Sequence, residues 1–154
     1  ESSVVVVGEA GELRDTVAAA LGAPTLQPGE ALPSAESVVI LDTSSQPGDP
    51  GRWSGLAGDV VATLEAARAL HAGRAGAPAV VVFVAGDPER GGAPERTRAA
   101  AIRSLASSLA VEWAPATSVV SVIVAAATPS AAVADACRYA LTTPSGTSVV
   151  IGST

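Results

Sequence analysis

A loop with two glycines follows the first apolar run of the chain, and such a loop can hold the pyrophosphate of a dinucleotide. The run Val4–Val7 ends at Gly8, and Gly11 begins a helical pattern. Glycine lets a phosphate approach the backbone, with the helix N-terminus behind it. The G-x-G-x-x-G fingerprint is incomplete here, and Glu9 and Glu12 place negative charge where a phosphate would lie. We therefore treat Gly8 and Gly11 as weak cofactor-binding candidates and favour a tight turn whose charges suit the helix dipole.

Carboxylates near the ends of apolar runs are the second set of candidates. Asp42 stands where a carboxylate could bind a metal ion or accept a phosphoryl group. A phosphorylated receiver also needs a lysine, and the chain has none. We interpret Asp42 as an acceptor of backbone N–H bonds in its own loop, and as a weak cofactor candidate. Asp87, Glu89 and Glu95 leave open an independent enzyme with different chemistry, although solvated carboxylates are the favoured interpretation.

The remaining reactive residue types occur once each. His71 lies near the end of a predicted helix, where an imidazolium suits the dipole, and no serine or carboxylate stands at an obvious triad spacing. Cys137 lies in an apolar helical pattern and is interpreted as a small buried hydrophobe. One histidine, one cysteine and scattered carboxylates form no ligand cluster, so we expect no metal site and no cofactor.

The composition excludes several classes of protein. The formal net charge is −6, and all nine positively charged residues are arginines, so nucleic-acid and anionic-membrane binding are disfavoured. No apolar run reaches the ~18 residues of a membrane span. The run Val4–Val7 is too short for the h-region of a signal peptide, which leads us to expect a cytoplasmic protein. With 48% hydrophobic residues in 154, the chain can bury the core of one domain, residues 1–154.

Apolar runs alternate with helical patterns along the whole chain. The longest helical pattern places Ile102, Leu105 and Leu109 on one face, between Pro94 and Pro115. The predicted strands are 3–7, 25–27, 37–41, 79–84, 118–124 and 147–151. The predicted helices are 11–21, 59–74, 95–113 and 129–141. This order predicts an α/β fold, a truncated Rossmann-like, doubly wound parallel sheet of about six strands with helices on both faces.

The stretch Ser104–Pro115, SLASSLAVEWAP, resembles the short-chain dehydrogenase/reductase family, and so do the strand Val119–Ala125 and the tail through Gly152. The chain most resembles a degenerate member, the N-terminal non-catalytic Rossmann domain of the high-molecular-weight β-ketoacyl carrier-protein reductases of actinobacteria. The shared features are G-x-A-G after the first strand, the turn Leu41–Ser44 and a glutamate at the family's tyrosine position. The resemblance is specific in the second half of the chain.

The residues that carry the family's chemistry are not matched. The family tyrosine falls at Glu95 and its lysine at Ala99, while its serine falls near Val84–Gly86. The chain has no lysine or asparagine at all, and no serine or threonine occurs between Thr63 and Thr97. The resemblance therefore implies a chain without catalytic residues, which is not an enzyme by itself.

Our first functional hypothesis is a non-catalytic subunit that pairs with an active NAD(P)H-dependent short-chain (ketoacyl) reductase and supports it. The resemblance implies pairing through the two long helices, with such a reductase or with a second copy by the same seam. The predicted interface residues are Val61, Ala62, Ala66, Ala69, Ala101, Leu105, Ser108, Leu109, Glu112 and Trp113.

The alternative hypothesis is a small nucleotide- or acyl-CoA-binding Rossmann module that keeps a reshaped crevice. For this alternative we expect no nicotinamide cofactor to bind, because the first loop is acidic and no arginine follows the short second strand at 25–27.

Overall fold

The computed structural model describes residues 3–41, 56–74, 78–86, 93–125 and 128–151, without the side chains of residues 56–60, 62, 94 and 95. Its strands are β1 (Val4–Val7), β2 (Thr25–Leu26), β3 (Ser37–Leu41), β4 (Ala79–Gly86), β5 (Thr117–Val124) and β6 (Ser148–Ile151). Its helices are α1 (Glu12–Leu21), α2 (Leu56–Gly73), α3 (Ala93–Glu112) and α4 (Ser130–Ala140). The predicted order of elements and the α/β fold class are confirmed.

Three predicted boundaries are wrong by two residues or more. Helix α3 begins at Ala93 rather than at residue 95. Helix α2 begins at Leu56 rather than at residue 59, and no proline interrupts the chain between them. Strand β4 continues through Gly86 rather than ending at residue 84, because Ala85 and Gly86 pair with Ile123 and Val124 of β5. The long β5 thus provides a ladder for two residues of β4 that composition alone assigns to a loop.

The strands form one sheet in the order β2-β1-β3-β4-β5-β6, and every neighbouring pair is parallel. The predicted number of strands is confirmed. The central strands β3, β4 and β5 are almost entirely buried, as expected for a parallel sheet covered on both faces. Their valine-rich sequences suit this position because β-branched side chains pack well on a pleated surface.

Alternate residues of each strand face two separate apolar layers. Val38 and Phe83 face the layer that holds Leu70 of α2 and Ile102 of α3. The next residues along the same strands, such as Val39, face the layer that holds Val17 of α1, Val133 of α4 and their neighbours. Helices therefore cover both faces of the sheet, as predicted. In the part of the chain that the structure describes, no helix is long and apolar enough to cross a membrane.

Candidate functional site

The order of the strands reverses beside β1. The chain moves from β1 outward to β2 and then returns to the other side of β1 to form β3. In open α/β sheets such a switch point opens a crevice at the carboxyl ends of the strands, and ligands bind there. The segments to examine are therefore the loop after β1, the start of α3 and the loop after β5.

Gly8, at the carboxyl end of β1, is explained by packing inside the chain. A Cβ atom at this position would lie 3.1 Å from Cβ and 3.2 Å from Cδ1 of Leu41 on the neighbouring strand. The Gly8 N–H donates to the carbonyl of Leu26 at 3.0 Å, and its carbonyl accepts a bond from Nη1 of Arg14 at 3.2 Å. The close approach that glycine permits is thus used by a leucine, and both backbone polar groups have partners.

The negative charges at the start of α1 stabilise the helix and would repel a bound anion. Glu9, Glu12 and Asp15 are exposed around this N-terminus, where negative charge stabilises the helix dipole. Gly11 occupies the N-cap position with an extended φ of 165°, a value open to any residue, and no side chain caps the helix. Neither Gly8 nor Gly11 therefore shows a geometry that requires a pyrophosphate.

Arg14 is the cation of this loop, and the sequence analysis did not select it. Its side chain is 13% exposed, and Nε lies 3.7 Å from the Asp15 carboxylate. Nε is buried without a hydrogen-bond partner among the described residues. The signal for Arg14 was its place in the first turn after the glycine loop, one residue after Leu13, which packs in the core.

The first half of α3 holds the two positions at which the resemblance places an acid–base pair. Ala99 is 1% exposed and packs in the same layer as Ile102 and Ala106. Glu95 lies one turn earlier on α3, and its side chain is outside the described part. An alanine methyl group that is enclosed by core residues neither holds a positive charge nor exchanges a proton.

Arg98 is a second cation that the sequence analysis missed. It is 8% exposed, and its Nε has no hydrogen-bond partner among the described residues, although the residue makes other polar contacts. The signal was its position four residues before Ile102, within the buried stripe of the helix.

The carboxyl ends of β4 and β5 differ in polarity. Val84 and Ala85 of β4 are fully buried, and no hydroxyl occurs between Thr63 and Thr97. After β5, the Thr128 N–H donates to the carbonyl of Ala125 at 3.0 Å, while its buried Oγ1 has no partner among the described residues. Sequence analysis did not select Thr128, and the only signal was a Thr-Pro pair directly before a helix.

His71 lies at the opposite end of the sheet from the crevice. Its ring stacks on Trp113 with centroids 4.4 Å apart and planes 4° apart. Its Nδ1 is 2.8 Å from Oγ1 of Thr117, the first residue of β5. The contact joins the end of α2 to the turn after α3 and to the start of β5, so His71 contributes to packing and stands far from the carboxyl ends of the strands.

Cys137 is a buried hydrophobe, as predicted. It is 0% exposed within the layer formed with α1, and burial raises the pKa of its thiol to about 12. The thiol is therefore protonated at neutral pH and a poor nucleophile. Among the residues that the structure describes, no three histidines, cysteines or carboxylates are placed to share a metal ion.

The predicted interface residues divide into two groups. Val61, Ala69, Ser108 and Glu112 are exposed on α2 and α3, and three more are partly buried there: Ala66, Ala101 and Leu105. The interface prediction is wrong for Leu109 and Trp113, because they are 5% and 8% exposed and pack in the core of their own chain. Both follow the spacing of Ile102, so they belong to the face that covers the sheet.

Asp42, Asp87 and Glu89 lie outside the described residues, as does the side chain of Ala62.

Comparison with known proteins establishes the fold of the chain and nothing finer. No protein-family model and no curated protein matches the chain. Among solved structures, it is similar to a small-chain dehydrogenase in complex with NADPH, at 13% identity and a TM-score of 0.77, covering 99% of this chain and 97% of that one. It is also similar to FolM alternative dihydrofolate reductase 1 from Brucella suis in complex with NADP, at 12% identity and a TM-score of 0.74, covering 98% and 93%.

A third neighbour is an oxidoreductase of the short-chain dehydrogenase/reductase family from Brucella ovis in complex with a partially ordered NAD. Its identity is 12% and its TM-score 0.68, with 98% of this chain and 99% of that chain covered. The fold is therefore Rossmann-like, and these solved neighbours are dehydrogenases and reductases. At these identities the likeness establishes the fold and leaves the chemistry to the residues described above.

Proposed function

We propose that this chain is a non-catalytic, reductase-like subunit that associates with an active NAD(P)H-dependent short-chain reductase, of the ketoacyl type, and supports it. The observation that carries the proposal is the position of Ala99. The reductase-like helix α3 is present, and an enclosed methyl group stands where the resemblance places the catalytic lysine. The chain has no lysine elsewhere to replace it.

The chemistry of the fold's usual reaction supports an inactive chain. A short-chain reductase needs a tyrosine acid whose pKa is lowered by a nearby lysine, and a serine hydroxyl that holds the substrate carbonyl. The single tyrosine of this chain, Tyr139, lies on α4 at the far side of the sheet from α3. The end of β4 carries no hydroxyl, so none of the three roles is filled by a residue at the expected place.

The described residues of the loop after β1 do not favour a nicotinamide dinucleotide. Leu41 of the neighbouring strand packs against Gly8, and the Gly8 carbonyl accepts a hydrogen bond from Arg14. Glu9, Glu12 and Asp15 would repel the phosphates. We derive no hydride-transfer step for this chain, and the cofactor of the proposed complex belongs to its active partner.

The surface for the partner is the outer side of α2 and α3, which contact each other on one face of the sheet. Ala101, Leu105, Ser108 and Glu112 recur at helical spacing and form one stripe of α3. Ala69 and Val61 add exposed small and apolar groups on α2. A partner helix could approach such short side chains closely, as in four-helix seams.

Co-purification tests the proposal. The tagged chain would be co-expressed with the intact short-chain reductases of its own genome, and the captured reductase identified by mass and assayed. We expect one reductase to be retained and its activity or thermal stability to rise with the added chain. Ala69→Arg should reduce retention at least tenfold, because a long cation replaces a methyl group at the seam.

The matched control is Ala131→Arg. Ala131 is also an exposed helical alanine, but it lies on α4, across the sheet from the seam. Equal retention by the two variants, or no retained reductase at all, would contradict the proposal.

A second candidate function is a nucleotide- or acyl-CoA-binding module. The observation that favours it is the buried Oγ1 of Thr128 at the carboxyl end of β5, which has no hydrogen-bond partner among the described residues. Calorimetric titration with NADPH, NADH and a CoA thioester separates the candidates. The subunit proposal predicts no measurable heat for any of the three, and micromolar binding of the CoA thioester would favour the module instead. Micromolar binding of NADPH or NADH would overturn the expectation, common to both candidates, that no nicotinamide cofactor binds.

A further inference from the structure

One edge of the sheet is the short strand β2, and no described strand lies beyond it. An edge strand presents unpaired N–H and C=O groups, on which another chain can add a strand. Proteins commonly protect such edges with prolines or charges placed along them. The question at β2 is therefore which backbone groups point outward and what satisfies them.

The hydrogen bonds to β1 show which groups of β2 point outward. Val6 and Gly8 of β1 donate their N–H groups to the carbonyls of residues 24 and 26, so these two residues face β1. Because backbone groups alternate along a strand, both backbone groups of Thr25 and the N–H of Gln27 point away from the sheet. Pro24 faces β1, so its missing N–H does not protect the outer side.

A tight turn directly after β2 brings a carboxylate to this outer side. The Glu30 N–H donates to the carbonyl of Gln27 at 3.1 Å, which closes a four-residue turn. Pro28 and Gly29 form its centre, and Gly29 has the φ of 91° that the third position of a type II turn requires. The Glu30 carboxylate then accepts a bond from the Gln27 N–H.

We infer that Glu30 is an edge guard, whose carboxylate keeps β2 from pairing with β2 of a second copy of the chain. An added strand would need the N–H of Gln27 as a donor beside the two groups of Thr25, and the Glu30 oxygen stands where the carbonyl of that strand would lie. A hydrogen bond to a charged acceptor is stronger than one to a backbone carbonyl. The incoming carbonyl therefore cannot readily displace the carboxylate.

The charge of Glu30 acts in the same direction as its hydrogen bond. The formal net charge of the chain is −6, and edge-to-edge pairing would bring a second Glu30 to the same contact. Like charges on an edge strand oppose such pairing. This edge is separate from the outer side of α2 and α3, so the inference does not depend on the proposed function.

Disulfide crosslinking through Thr25→Cys tests the inference. Thr25 is exposed, whereas Cys137, the single native cysteine, is 0% exposed, so a linked dimer reports on residue 25. At about 100 μM protein with a mild oxidant, where a weak interface associates measurably, we expect Glu30→Ala to speed dimer formation at least fivefold. Gly29→Ala should speed it too, because a φ of 91° is strained for alanine and the turn no longer holds the carboxylate in place.

Two further variants separate the hydrogen bond from the charge. Glu9→Ala removes the same charge from another exposed glutamate and should leave the crosslinking rate of Thr25→Cys unchanged. Glu30→Gln keeps an acceptor oxygen and should retain most of the protection, and all variants should melt within a few degrees of the unmodified chain. The backbone amide of Gln27 should exchange its hydrogen faster in Glu30→Ala in dilute solution. Crosslinking that Glu30→Ala does not speed, an equal rise in Glu9→Ala, or an unchanged Gln27 amide would overturn the inference.

Discussion

The two ends of the central sheet differ in the contacts that their residues make. Each helix follows a parallel strand, so the helices begin at the carboxyl ends of the strands and finish at the amino ends. At the amino ends, His71, Trp113 and Thr117 form a joint with a stacked ring pair and a hydrogen bond. At the carboxyl ends, Gly8 lies close to Leu41 of the neighbouring strand, and Ala99 is buried on α3.

The two apolar layers and the amino-terminal joint account for the packing of α2 and α3 on the sheet. Ala99 and Ala85, which stand at or near the positions where the resemblance places catalytic groups, belong to one of these layers. The comparison predicts large effects on stability at the amino end and effects on packing, rather than on binding, at the carboxyl end.

Trp113→Ala should have the largest effect. It removes a ring that is 8% exposed, stacked on His71 and packed in the core, and such truncations cost about 3–5 kcal/mol. Urea unfolding followed by circular dichroism measures the loss. The neighbouring Glu112→Ala is the control, because Glu112 is exposed and should stay within about 0.5 kcal/mol of the unmodified chain. Equal losses for both variants would show that the joint is not a packing centre.

Gly8→Val tests the carboxyl end. Its side chain would meet Leu41 at 3.1–3.2 Å already at Cβ, and overpacking of this kind costs about 1–3 kcal/mol. The same unfolding measurement on Gly11→Ala should show little change, because Gly11 has an extended φ. A fully tolerated Gly8→Val would show that Leu41 can move aside and that the packing of Leu41 against Gly8 does not constrain this loop.

Two threonines allow a direct test of this comparison. Both hydroxyls are buried, and only that of Thr117 has a hydrogen-bond partner among the described residues. Thr117→Val removes the bond to His71 and should destabilise by about 1 kcal/mol. Thr128→Val removes an Oγ1 that has no partner among the described residues, so it should be neutral or slightly stabilising. Melting temperatures of the two variants decide between these outcomes. A loss at Thr128 as large as that at Thr117 would reveal a bound group at the carboxyl end.

Much of the fold could be predicted from the sequence, and the reason is the strength of the periodic signals. Valine runs such as Val4–Val7 and the stripe through Ile102 admit few interpretations, and both were placed correctly. The end of β4 at Gly86 could not be predicted, because its last two residues are extended by pairing with β5, a long-range effect. Leu109 and Trp113 are both predicted interface residues, and Leu109 also lies on the predicted apolar face. Their burial in the chain excludes the interface assignment.

The main feature of the candidate site that the sequence could predict is the absence of certain reactive residue types. A lysine-free chain excludes the family's acid–base pair wherever the helix lies. The contacts that now occupy the crevice were not predictable, because they join residues far apart in the sequence. Gly8 meets Leu41, and Arg14 reaches back to the Gly8 carbonyl. No local pattern indicates that a leucine on one strand packs against a glycine on the neighbouring strand.

The smallest predicted effect is a change in stability that has opposite signs at the carboxyl and amino ends of the sheet. Glu12 lies in the first turn of α1 and Glu112 is the last residue of α3, so one carboxylate meets the positive end of a helix dipole and the other the negative end. Glu12→Gln should destabilise the chain by a few tenths of a kcal/mol, up to about 1 kcal/mol, and Glu112→Gln should stabilise it by a similar amount. Urea unfolding in low salt measures both, and about 1 M salt should reduce both differences, because exposed charges are then screened. Two changes of the same sign, or differences that persist in high salt, would show that contacts other than the helix dipoles set the charge preference of each end.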